Sequence, residues 1–132
     1  MKFLAIIYND ESQYADATPE DIGAIFAAHG EFGEAAGKAG VFAGGEGLQP
    51  VATATTVRVR DGERMLTDGP YAETKEQLGG YYLLDCKDLD DALNWAARIP
   101  EAKSGAIEVR PVMDYDAMGG DGAPAASQAA AS

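Results

Sequence analysis

The side chains of this sequence best suited to moving a proton are its single histidine, His29, and an aspartate, Asp68, that opens the turn Asp68-Gly69-Pro70. Apart from Cys86, no other side chain changes charge near neutrality without a large shift, so any acid/base chemistry leads first to His29. Asp68 follows an apolar strand, and proline at 70 narrows the conformations open to its neighbours, which holds the carboxylate on a stiff stretch of backbone. A histidine beside a carboxylate makes a general acid/base unit, and pairing would relieve the several kcal/mol that burying a lone carboxylate costs. Each residue also has a plainer use. An isolated histidine on an apolar helix face is about as often a core residue bonded to a backbone carbonyl, and Asp68 could simply cap its own turn through backbone N–H groups.

Candidates for holding a ligand surround this pair more loosely. Arg58 and Arg110 alternate with valines on strands and could hold an anionic group, although alternation by default turns charges into water. Tyr71, Glu73 and Lys75 follow the turn, where Glu73 or Lys75 could cover a pocket; charged loop residues are more often simply solvated. Gly44-Gly45-Glu46-Gly47 has neither the spacing nor the following helix of a phosphate-binding loop and reads as a bulged or closely approached strand. Asp85, Asp88, Asp90 and Asp91 lack calcium-loop spacing and read as a helix cap with first-turn acids. No metal site and no cofactor motif is expected.

These residues need elements to position them. Phe3 to Tyr8 is a continuous apolar strand, which expects cover on both faces. Thr18-Pro19-Glu20-Asp21 starts a helix that should run to about Ala39 and stop at Gly40, with Ile22, Ile25, Phe26, His29, Phe32 and Ala36 on one apolar face. Val41 to Leu48 is a glycine-interrupted strand. Asp61-Gly62 marks a type I′ hairpin joining Thr55–Arg60 to Glu63–Asp68, with Arg60 opposite Glu63, Val57 opposite Leu66 and Thr55 opposite Asp68, a register that turns Asp68 to the face of Val57, Val59 and Leu66. Gly79 to Cys86 is a further strand. A second helix is capped by Asp88 and halted before Pro100, with Leu89, Ala92, Leu93, Ala96 and Ile99 inward, and Ala106 to Val112 closes the fold. This order predicts an α+β architecture, a ferredoxin-like split βαβ sandwich with an inserted β-hairpin. Both helices would cover one sheet face and leave the other bare, so a homodimer is expected.

The chain has 132 residues, one domain's worth, with 10 basic against 22 acidic side chains and a formal charge of −12. That charge disfavours nucleic acid and anionic membrane surfaces as partners. The single cysteine, expected to be buried and inert, excludes an internal disulfide and fits a reducing cytoplasm. The longest apolar run, Phe3 to Tyr8, is too short for a membrane span. The domain is expected over residues 1–113, followed by a disordered Gly/Ala/Ser-rich tail over 114–132.

The stretch Asp68-Gly69-Pro70-Tyr71-Ala72-Glu73-Thr74-Lys75-Glu76-Gln77-Leu78-Gly79-Gly80 resembles the signature of the YCII-related, or DGPF-domain, family of small bacterial proteins. The likeness runs from Met1 to about Val112 through Gly44-Gly45-Glu46-Gly47-Leu48, Ala54-Thr55-Thr56-Val57-Arg58, Trp95-Ala96-Ala97-Arg98-Ile99-Pro100 and Glu108-Val109-Arg110-Pro111-Val112. Tyr71 stands where the name-giving tetrapeptide has phenylalanine. The resemblance implies a dimeric α/β barrel with clefts beside the dimer interface, and a histidine–aspartate site for which His29 and Asp68 are the matching positions. Similar members are often encoded beside, or fused to, extracytoplasmic-function sigma factors.

The expectation is therefore a cytoplasmic homodimer with a small-molecule pocket in which His29 and Asp68 work without a cofactor. The alternative is a non-catalytic ligand-sensing or regulatory module linked to a sigma factor. Neither substrate nor reaction follows from the residues alone.

Overall fold

In the computed structural model of the chain, which describes residues 1–118, β1 (Lys2–Asn9) is an inner strand of a four-stranded antiparallel sheet. β5 (Gln77–Asp85) lies on one side of it and β6 (Ala106–Pro111) on the other; β2 (Phe42–Gly47) adds to β5, giving the order β2-β5-β1-β6. β3 (Thr55–Arg60) and β4 (Glu63–Asp68) form a separate two-stranded sheet. The mixed α+β architecture, with antiparallel sheets, is consistent with the expected ferredoxin-like fold.

α1 (Pro19–Lys38) begins as its sequence dictates: the Thr18 side chain accepts from the Asp21 N–H, the Asp21 carboxylate accepts from the Thr18 N–H, and Pro19 occupies the first turn. α2 (Leu89–Ala96) is capped by Asp88. A single 3-10 turn, Pro100–Ala102, follows it.

Strand alternation sorts β1 into two sets. Phe3, Ala5 and Ile7 are buried with Leu84 of β5 beneath the helices, where Phe32 and Ala36 of α1 and Ala92 and Ala96 of α2 meet them. Phe3, Leu84 and Ile99 are fully buried, each worth about 1.5–3 kcal/mol in apolar surface removed from water. The alanines contribute by being small, letting both helices approach the sheet closely. Leu4, Ile6, Tyr81 and Leu83 share the other face, where they are only partly covered.

Several packing expectations need correction. α2 ends at Ala96, and its buried stripe is Ala92, Ala96 and then Ile99, so Leu89 and Leu93 are displaced sideways and nearly half exposed. On α1, Ile22 and Ile25 are half-buried and Phe26 is 70% exposed, because the first half of the helix overhangs a cavity instead of packing on the sheet. The hairpin has the expected register, Arg60 with Glu63, Val57 with Leu66 and Thr55 with Asp68, and its turn residues Asp61 and Gly62 have φ of 53° and 78°, as a type I′ turn requires. Its second strand is nevertheless exposed throughout, Asp68 included, since among the described residues no helix lies over it. Tyr115–Met118 forms a short helical turn where the disordered tail was expected to begin; the rest of that tail, residues 119–132, lies outside the described residues. Among the described residues, no helix is long and apolar enough to cross a membrane.

Candidate active site

His29 sits one turn before Phe32 on α1, where Phe32 is locked against Tyr82 and Trp95 with ring centroids 4.7 and 6.2 Å apart. That packing aims the imidazole at the edge of the sheet. Its Nδ1 lies 2.6 Å from the Tyr82 hydroxyl and its Nε2 lies 2.7 Å from Glu101 Oε2. Tyr82 comes from β5 on the helix-facing side, level with Ala5 of β1, and Glu101 from the 3-10 turn after α2. Across the sheet, Tyr82 stands opposite Gly45, where a Cβ would come within 2.7 Å of the tyrosine ring. The glycine leaves room for the ring beside β2, so the glycine run is the closely approached strand its composition predicts.

Both partners of His29 are fixed by their surroundings. Burial pushes the Glu101 carboxyl upward, but the hydrogen bond and the charge of His29 outweigh it and hold the carboxyl below its ordinary range. At neutral pH Glu101 is therefore an anion that can only accept, so the hydrogen between it and His29 belongs to Nε2. When the ring carries a single proton its lone pair is on Nδ1, and in that state the Tyr82 O–H donates to it. Glu101 Oε1 is buried and accepts no hydrogen bond among the described residues, which leaves His29 as the main compensation for this charge. Burial, and secondarily the charge of Glu101, raise the Tyr82 hydroxyl above its ordinary value, so the phenol keeps its proton.

Glu101, His29 and Tyr82 line a cavity of about 780 Å³ between α1 and the β2–β5 edge, within the size range of small-molecule sites. Ile22, Ile25, Phe26, Leu48 and Pro50 make its wall largely apolar. Three carboxylates, Glu11, Glu46 and Glu101, belong to the lining, and no lysine or arginine does.

The sequence-predicted site residues are distributed otherwise. Asp68 is not brought to His29: both ring nitrogens are taken by Tyr82 and Glu101, and Asp68 ends the exposed strand of the hairpin. Arg58 and Tyr71 do meet, the guanidinium lying 5.4 Å from the ring centre, but on the hairpin side of the molecule. Arg110 pairs across the sheet with Leu4 on the partly covered face and lies 4.0 Å from Glu108. Glu73 and Lys75 are exposed in the loop after the turn. None of these six lines the cavity within a single chain. The sequence pointed to His29 but not to Tyr82 or Glu101, the groups its ring nitrogens meet. Tyr82 could have been placed by alternation from Leu84, whereas Glu101, after a helix-ending proline, looks like any surface acid.

The antiparallel sheet with helices packed on one face, and a cavity at the edge of that face with an imidazole in its lining, places the chain among small α+β domains of ferredoxin-like architecture. The chain belongs to the family of the YCII-related domain, whose model matches residues 1–116. It is 40% identical over 124 residues, 87% of this chain and 94% of the other, to an uncharacterised protein from Rhizobium meliloti (strain 1021).

Proposed function

We propose that the chain binds a small molecule in the cavity under α1 and transfers a proton on it through Tyr82, His29 and Glu101, with no cofactor taking part. The carrying observation is the continuous hydrogen-bonded line from the Glu101 carboxylate through the imidazole to a phenol at the cavity wall. As the Tyr82 oxygen takes a proton from the ligand, its own proton passes to Nδ1, and the imidazolium that forms is stabilised by Glu101. The return step reverses the same motions. Isomerisations, eliminations and hydrolyses that need one acid/base unit fall within reach of this arrangement.

The test is a thermal-shift screen of metabolites on the wild type, followed by product analysis of every compound that binds. Tyr82→Phe and His29→Gln are expected to keep binding and lose turnover by about 100-fold or more, as removal of a general acid/base does. Turnover that survives both substitutions rejects the relay.

A second reading, a ligand sensor in regulation linked to a sigma factor, draws support from the full engagement of both His29 nitrogens, which stiffens the ring as a fixed wall would be stiffened. It predicts binding without product for every compound, and ligand-dependent capture of the purified sigma factor.

A homodimer, with the α/β barrel that two such sheets would complete, belongs to either reading. Support comes from the partly covered face of Leu4, Ile6, Tyr81 and Leu83 and from the hairpin, where Val57, Val59 and Leu66 are all more than half exposed. Isolated two-stranded hairpins are marginal in water, and a second chain would supply the missing cover and could bring Asp68 to a cleft beside it. Light scattering at micromolar concentration is expected to give twice the chain mass.

A further inference from the structure

Asn9, at the end of β1, is the buried polar side chain of the core region at 6% exposure, and nothing in the relay uses it. Its orientation is fixed: the Asp10 N–H can only donate, so the atom it meets at 3.1 Å is the Asn9 carbonyl oxygen. The Asn9 amide nitrogen therefore faces the Tyr14 hydroxyl and donates to it. With its oxygen receiving that bond, Tyr14 has its own hydrogen left to give, and it donates to no group among the described residues. Tyr14 lines the same cavity as Tyr82.

Other polar groups at that end are already engaged. Glu11 Oε1 accepts from the Val51 N–H at 3.0 Å, while the Glu11 N–H donates to Gln77 Oε1 at 2.9 Å and Gln77 Nε2 donates to the Thr74 carbonyl at 2.8 Å. The cavity thus offers an oriented phenol donor to an acceptor atom, an apolar wall to the rest of the ligand, and three carboxylates that would repel an anion.

The geometry points to an uncharged, largely apolar carbonyl compound as the ligand class, its oxygen received by the Tyr14 hydroxyl that Asn9 orients. This rests on the proton-relay reading for what happens next: Tyr82 would remove a hydrogen from the carbon beside the carbonyl, the electron pair of that C–H bond would move onto the carbonyl oxygen, and Tyr14 would stabilise the enolate. Reprotonation at carbon by Tyr82 closes the cycle with no oxidant or reductant consumed. Burial, and then the charge of Glu101, hold the Tyr14 hydroxyl above its ordinary value, which keeps it a donor at neutral pH.

Three probes sharing one skeleton decide the matter: methyl naphthyl ketone, naphthoate and naphthylmethylammonium, titrated into the full chain by calorimetry. The ketone is expected to bind at least tenfold tighter than naphthoate, and Tyr14→Phe is expected to weaken the ketone by about threefold to tenfold, the range of one neutral hydrogen bond, without altering the ammonium. Asn9→Leu should move ketone affinity in the same direction. Absence of a preference for the ketone over naphthoate overturns the inference, as does a folded Tyr14→Phe chain that binds the ketone unchanged. Exchange of the ketone's methyl hydrogens in heavy water, followed by NMR, reads the relay separately. Ketone preference without exchange upholds the ligand class and rejects the relay.

Discussion

The four-stranded sheet and the two-stranded hairpin both carry apolar side chains, but they place their polar groups in opposite circumstances. Under α1 and α2, Phe3 and Leu84 are excluded from water, and the polar side chains nearby, His29, Glu101, Tyr82 and Asn9, are held by specific partners. On the hairpin, Val57 and Leu66 remain more than half exposed and Asp68 ends in solvent. Water competes for every polar group on the hairpin, so a carboxylate there neither needs nor fixes a partner. Removing that water gives Glu101 its hold on His29. Within one chain, the helical cover, more than the identity of the acid, decides which carboxylate is held by a fixed partner.

The largest test of this contrast removes the same side chain from each region. Leu84→Ala is expected to cost about 2–5 kcal/mol of stability, whereas Leu66→Ala should stay within about 0.5 kcal/mol in the dilute chain; urea unfolding measures both. Equal losses would mean that the hairpin is as well covered as the sheet. Next in size, Gly45→Ala pushes a methyl group into the Tyr82 ring and should cost about 1–3 kcal/mol, with a changed near-ultraviolet signal as the ring moves. An unchanged spectrum and stability would show that the ring is not held against β2. The smallest effect is in the pH dependence. Because the Glu101 carboxyl is depressed in the folded chain by His29 against the opposing pull of burial, the unfolded chain binds its proton more readily. The stability this confers is present above the ordinary carboxylate value of 4.5 and is lost as pH falls through the lower folded value. Glu101→Gln should remove that acid-side slope, and Asp68→Asn should leave it in place; a slope abolished by Asp68→Asn instead would move the working carboxylate to the hairpin.

Much of the framework was legible because its signals are local. The capping box at Thr18 and Asp21, the turn at Asp61-Gly62 and the hairpin register each depend on residues within a few positions of one another. His29 was legible for a different reason, being the single histidine in the chain. Its partners were not, since Tyr82 and Glu101 lie 53 and 72 positions away and are joined to it only by tertiary packing. The hairpin also shows why Asp68 drew attention. Alternation correctly grouped it with Val57 and Leu66 on one face, but periodicity cannot say whether a face is covered.

The strand order has a consequence for how the chain reaches its fold. Strand β1 must pair Phe3 with Pro111 and Leu84, whereas the hairpin joins Arg60 to Glu63 across two residues. Closing the hairpin is a matter of roughly microseconds, while sheets assembled from distant segments take roughly milliseconds to seconds. On a ribosome adding about 5–20 residues per second, β1 would emerge and wait about 5–20 s for β6. For that interval the apolar segment Phe3 to Tyr8 is an unsatisfied strand edge, and it is the stretch through which a nascent chain would first aggregate or recruit a chaperone.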